Sequence, residues 1–165
     1  MPIKKIIDIC LLRAGPQDLP ASMALMFVTL AIYASADVVS VLDSVPLTPG
    51  LLAAGADTLL LAAAAQLALR WRHLENRLPQ TLMALAGSGA LLGLMSLAAI
   101  ALLQNRVAPE WIWLVFLLWT LQVYGHILRH ALAIPLLAAV GLCAAYILVS
   151  LFVTSIFIHP IAPEG

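Results

Sequence analysis

Two carboxylates, Asp37 and Asp57, stand inside long apolar stretches of this 165-residue chain. A charge near the centre of a bilayer costs at least about 2.5 kcal/mol, so acids in such places are usually retained for a reason. Asp37 lies six residues before the end of one apolar run, and Asp57 seven residues past Gly50 in the next. At the helical rise these offsets correspond to about 9 Å and about 10 Å of depth. A tight turn between the runs makes their helices neighbours, so the two acids are expected at matching depth. Two carboxylates so placed can share a proton or bind a cation. Arg106 belongs to the next turn on the same side and can reach in to neutralise one of them. Two readings follow. One is an intramembrane acidic site of Asp37, Asp57 and Arg106; the other is structural, each acid being hydrogen-bonded within the bundle or paired with Arg106.

A second group is imidazole-based. His126 and His130 are four residues apart, a helical spacing that can chelate zinc, and His73 and Glu75 offer further donors. No specific motif surrounds them, and imidazole rings at a membrane interface need no ligand to explain them. Neither a metal nor a cofactor is expected. The chain also lacks a nucleophile elbow, a Walker loop and an HExxH motif. It is therefore not read as an enzyme.

The elements that carry these residues follow from composition. Hydrophobic residues make up 64% of the chain and charged ones 10%, with a mean hydropathy of +1.07. A soluble surface needs roughly a quarter of its residues charged, so the solvent for most of this one is lipid. Zero formal net charge gives no attraction to nucleic acid. A bilayer core about 30 Å thick takes about 20 helical residues. Spans are read at 21–43, entered through Asp18, Leu19 and Pro20, then at 51–69 and 79–103. The apolar block Trp111–Ile158 is 48 residues long, twice what one crossing needs, and Arg129 marks its break into spans at 111–128 and 133–157. The expected fold is thus an all-α polytopic membrane protein with a five-helix domain over 20–158. Met23 to Ala36 imitates a signal peptide, and is read as an uncleaved first span.

Orientation follows from the basic residues. With the N-terminus inside, Lys4, Lys5, Arg13, Arg70, Arg72, Arg77 and Arg129 are cytoplasmic and only Arg106 is outside. Seven against one is a strong positive-inside bias, and it leaves the tail 159–165 on the outer side. Residues 1–14 read as a short amphipathic helix. Ile3, Ile6, Ile7, Cys10 and Leu11 share one face, while Ile9 and Leu12 spoil the pattern. Such a helix lies either on the inner leaflet or against the end of the bundle. Gly89 and Gly93 form a GxxxG pair suited to close helix packing, opposite the alanines of 53–56 and 62–65 or across a homodimer seam. Trp71, Trp111 and Trp113 read as interfacial anchors. Cys10 and Cys143, the only cysteines, are too far apart in this topology for a disulfide.

The layout resembles the Yip1-domain family of five-span membrane proteins. The likeness is carried by Trp113, Gln122 to His126, Arg129 to Leu132, the small-residue final span through Gly141, and Leu78 to Ala90 at the third-span entry. It covers about residues 20–157 and implies fold and membrane residence. The family's GTPase binding generally involves a longer N-terminal region than the roughly twenty residues here. The small turns and Ala/Leu richness point to a bacterial inner membrane. From these features the chain is expected to be an interaction, scaffold or accessory membrane subunit, its partners the lipid bilayer, other membrane proteins or a second copy. The alternative is a small proton- or cation-coupled transporter or channel component using Asp37 and Asp57.

Overall fold

A computed structural model describes residues 2–42 and 44–158. The tail expected beyond the last span, 159–165, lies outside them, as do Met1 and Asp43. The chain folds into helices α1 (Pro2–Cys10), α2 (Met23–Val41), α3 (Leu47–Trp71), α4 (Leu78–Leu103), α5 (Pro109–Leu132) and α6 (Leu136–Ile158), with no strand among the described residues. Helices α2 to α6 are each long and apolar enough to cross a bilayer. The expected five spans are present.

Their boundaries differ from the sequence reading in three places. Asp18 does not start the first span: it sits in a 3₁₀ turn, Pro16–Asp18, where its carboxylate accepts from Gly15 N at 2.8 Å. Ser22 caps α2 instead, accepting from Leu25 N. The segment around Pro46 and Pro49 is not all turn, because α3 begins at Leu47. Pro49 falls in the first helical turn, where a missing N–H leaves no bond unmade. Third, Arg129 lies inside α5, which runs three residues further; the break falls at Ala133 to Pro135.

Three helix ends on the N-terminal face explain that extension. Leu12, His73 and Ala133 all have left-handed backbones, with φ of 60°, 56° and 52°. Each closes a helix with a 6→1 bond: Arg13 N to Asp8 O, Leu74 N to Leu69 O, and Ile134 N to Arg129 O. These are Schellman caps built without glycine. The carbonyls of α5 still left open are met from the α3–α4 connection. Arg72 Nε donates to Leu132 O at 3.2 Å, and Arg77 donates to Ala131 O at 3.2 Å. The two arginines therefore hold the α5 terminus as well as marking a water-facing loop. A left-handed residue with a Cβ is strained, so Ala133→Gly is expected to stabilise the protein by about 0.5–1 kcal/mol. A thermal melt in detergent that falls rather than rises would contradict this.

Helix α4 is the hub. Thr81 to Ser88 are buried without a break, and the small side chains of Ala84, Ala86, Gly87 and Ser88 let neighbours approach closely. Its principal neighbours are α2 and α5. The alanine-rich α3 touches it much less, so the expected contact between the α3 alanines and the glycine pair is not the main one. Helix α6 is the opposite case, the most hydrophobic span, with only Ala139 and Cys143 buried.

Helix α1 packs against the end of the bundle by one of its faces. Ile6, Ile9 and Cys10 face the bundle, and Ile9, which spoiled the amphipathic pattern, is fully buried. Ile3, Ile7 and Leu11 remain exposed. The helix thus carries two apolar stripes, one for the bundle and one left bare. Ile6 reaches so near α4 that a Cβ on Gly87 would lie 2.7 Å from its Cδ1. The chain that follows is held by α5: Trp119 Nε1 donates to Cys10 O at 3.0 Å, and His126 Nε2 lies 3.0 Å from Ala14 O.

Candidate functional site

The register of α2 against α3 positions the acids. Gly50 sits against Val41, where a Cβ would be 3.3 Å from Val41 Cγ2, so these residues are level. Counting down from them places Asp37 about 6 Å deep and Asp57 about 10 Å deep. Asp57 is accordingly level with Tyr33, whose hydroxyl donates to its Oδ2 at 2.5 Å. By this count the backbone of Asp57 lies about one helical turn below that of Asp37.

Asp57 is 6% exposed and is held by hydroxyls alone. Besides Tyr33 from α2, Tyr146 donates from α6 at 3.2 and 3.3 Å to its two oxygens, and Ser150 donates to Oδ1. Three helices are tied together at this one carboxylate, the best-supported polar point in the interior. Asp37 is treated in the opposite way. Its Oδ2 is buried and has no hydrogen-bond partner. Buried polar atoms are nearly always satisfied, so an orphaned carboxylate oxygen asks for a group to meet it.

Both acids open on one cavity of about 520 Å³ between α2, α3, α4 and α6, at the end of the bundle away from α1. Gly89, Gly93 and Ser96 form its α4 wall, Trp113 comes from α5, and Ser150 and Thr154 from α6. A cleft of about 200 Å³ between α5 and α6 shares Tyr33, Gly93, Trp113 and Ser150 with it. The chamber is of ligand size, mostly apolar, with a few converging polar groups. Among the described residues at that end, the acids Asp37, Asp57 and Glu110 outnumber the single base Arg106.

No family model matches the chain, and neither the curated proteins nor the solved structures contain a match. The site must be read from its own chemistry.

Other candidate residues fall out as follows. Arg106 is exposed in the α4–α5 turn and is not among the partners of Asp57, all of which are hydroxyls, while Asp37 Oδ2 has none. The acids are therefore not sealed by it. The GxxxG pair splits in function. A Cβ on Gly89 would collide with the Tyr124 hydroxyl and come within 2.8 Å of the Tyr33 ring, whereas one on Gly93 would meet nothing within 4 Å. Gly89 makes room for tyrosines, and Gly93 lines the cavity. His126 and His130 are stacked edge to face with ring centres 4.5 Å apart, but among the described residues no three ligand-type side chains gather to hold a metal. His126 is engaged with Ala14 O instead.

Tyr33, Tyr146 and Ser150 are the residues that sequence reasoning missed. A tyrosine or serine inside an apolar run is too common to stand out, and the only signal was their location in spans that also had to enclose an acid. Cys10 and Cys143 are buried, free thiols, and burial pushes the Cys10 thiol up to about 11. A thiol so placed is almost wholly protonated near neutrality. Both cysteines are expected to resist maleimide at pH 7.5 until the protein is denatured, as mass spectrometry would report.

Proposed function

We propose that the chain is a small component of a cation- or proton-coupled membrane pathway, with the Asp37–Asp57 cavity as its binding site. The observation that carries this reading is the contrast between the acids. Asp57 is anchored by three hydroxyls, and Asp37 presents an unmet carboxylate oxygen to the same cavity. A purely structural pair would have both acids satisfied. With the N-terminus in the cytoplasm, as the basic residues favour, the cavity opens to the outer side of a bacterial inner membrane. The likeness to Yip1-domain proteins bears on five-span membrane residence and leaves the ligand to the cavity.

The second reading is an accessory or scaffold subunit. The observation on its side is the bare flank of α6, the most apolar span and the least covered by its own bundle. Reconstituted vesicles separate the two. Under a cation or pH gradient, the parent protein is expected to carry a flux that Asp57→Asn and Asp37→Asn each reduce by an order of magnitude or more. Equal flux from the parent and the double variant would remove the pathway reading.

A further inference from the structure

The cavity does not suit a bare metal ion. Calcium, for one, takes six to eight oxygens at about 2.3–2.6 Å. Here two carboxylates line a cavity of about 520 Å³, and among the described residues no three His, Cys, Asp or Glu side chains gather. Both facts ask for a larger occupant, one that fills volume as well as meeting charge.

The walls describe that occupant. At one end are the orphaned Oδ2 of Asp37 and the hydroxyl-bound carboxylate of Asp57. Two aromatic residues, Tyr33 and Trp113, line the same cavity. Carboxylates with aromatic rings recognise organic cations, the rings through attraction of the cation to their negative faces. The remainder of the lining is largely aliphatic, from Leu97, Ile100 and Leu151 among others.

The way in is lateral. Helices α5 and α6 cross closely at Gly125 and Val140, where a Cβ on the glycine would lie 2.8 Å from Val140 Cγ2. Beyond that crossing they bound the 200 Å³ cleft, with Trp113, Phe116 and Leu117 on one side and Ile147 and Leu151 on the other. Trp113 and Leu151 are each 48% exposed, so the cleft reaches the bare flank of the bundle. An apolar body can enter there without leaving a hydrocarbon environment, its charge drawn to the acids behind.

Resting on the cation-site reading above, we infer that the ligand is a lipophilic organic cation, a quaternary or protonated ammonium on an apolar body, which enters between α5 and α6 and places its charge between Asp37 and Asp57.

Tetraphenylphosphonium is a suitable probe, added to the full chain in detergent and followed by equilibrium dialysis. Saturable binding to a single site is expected. Asp57→Asn should weaken it by about tenfold or more, because the ring environment remains but the fixed charge is gone. Trp113→Ala should weaken it roughly three- to thirty-fold, the range of a cation–ring contact in a desolvated site. Trp111→Ala, an exposed residue outside the cavity on the same helix end, should leave binding unchanged and so report partition into the micelle. Each variant is read only as a monodisperse, helical protein, and Asp37→Asn replaces Asp57→Asn if the latter does not fold. Unsaturable uptake, or saturable binding indifferent to the acid substitution or to Trp113→Ala, would overturn the inference. Acid-dependent flux of sodium, potassium or protons in vesicles, without tetraphenylphosphonium binding, would overturn it while leaving the cation pathway standing. If both flux and binding ignore the acids, both readings fall.

Discussion

Asp57→Leu is expected to unfold well below the parent protein, and Asp37→Asn at or above it. The two acids lie in neighbouring helices a turn apart, yet their substitutions should have opposite signs. At position 57 a leucine removes the acceptor of three hydroxyls, Tyr33, Tyr146 and Ser150, at a site that is 6% exposed. A buried donor left without a partner costs about 1–3 kcal/mol, and interhelical hydrogen bonds in membranes average nearer 0.6. The loss of a buried charge works the other way. Because removing one partner of an organised polar group outweighs that gain, a net loss on the order of 2–4 kcal/mol is expected. At position 37 the oxygen that an amide would replace makes no hydrogen bond. Asparagine there removes a buried acid that no partner compensates, for a gain of about 0–1 kcal/mol at such shallow depth. Circular dichroism melts in one detergent measure both. Equal and opposite results, with Asp37→Asn the less stable, would show that Asp37 rather than Asp57 is the structural acid. A variant that gains stability while losing cation binding is what a functional residue predicts.

The glycine pair gives the second large effect. Gly89→Ala is expected to cost about 1–3 kcal/mol, since its methyl must displace a buried tyrosine pair rather than the loose end of a surface chain. Gly93→Ala should be neutral or stabilise by up to about 1 kcal/mol, because the added methyl meets open space and alanine favours helix. A GxxxG dimer seam makes the contrary forecast, that both substitutions disrupt. Thermal melts together with crosslinking in membranes distinguish them. Similar losses at both positions, accompanied by loss of a crosslinked dimer, would restore the seam.

Much of the fold was legible because lipid imposes a simple rule. Each backbone polar group must be satisfied within its own span, so any apolar stretch of sufficient length becomes a helix. Trp111–Ile158 had to divide for that reason, and it does. The place of division was misread, since the charge of Arg129 looked like a loop signal. In the structure Arg72 and Arg77 cap the last carbonyls of α5 three residues later, an interaction across more than fifty residues that no local pattern displays. Ile9 is a similar case. It broke the amphipathic face of α1 because that helix carries two apolar stripes, one buried on the bundle and one exposed, and a single-stripe test recognises only one.

Of the candidate site, the sequence by itself determined the acids, their turn-linked helices and their end of the bundle. Intramembrane charge is rare enough to stand out against an apolar background, and helical rise converts position into depth. Only the tertiary structure decided what each acid does. The level packing of Gly50 on Val41 staggers them by a turn, Tyr146 and Ser150 arrive from a helix about ninety residues away, and Arg106 stays outside. Hydrogen-bond satisfaction is a property of converging side chains rather than of any one segment. For that reason the difference between a held carboxylate and an unmet one is written in the packing of α2, α3 and α6.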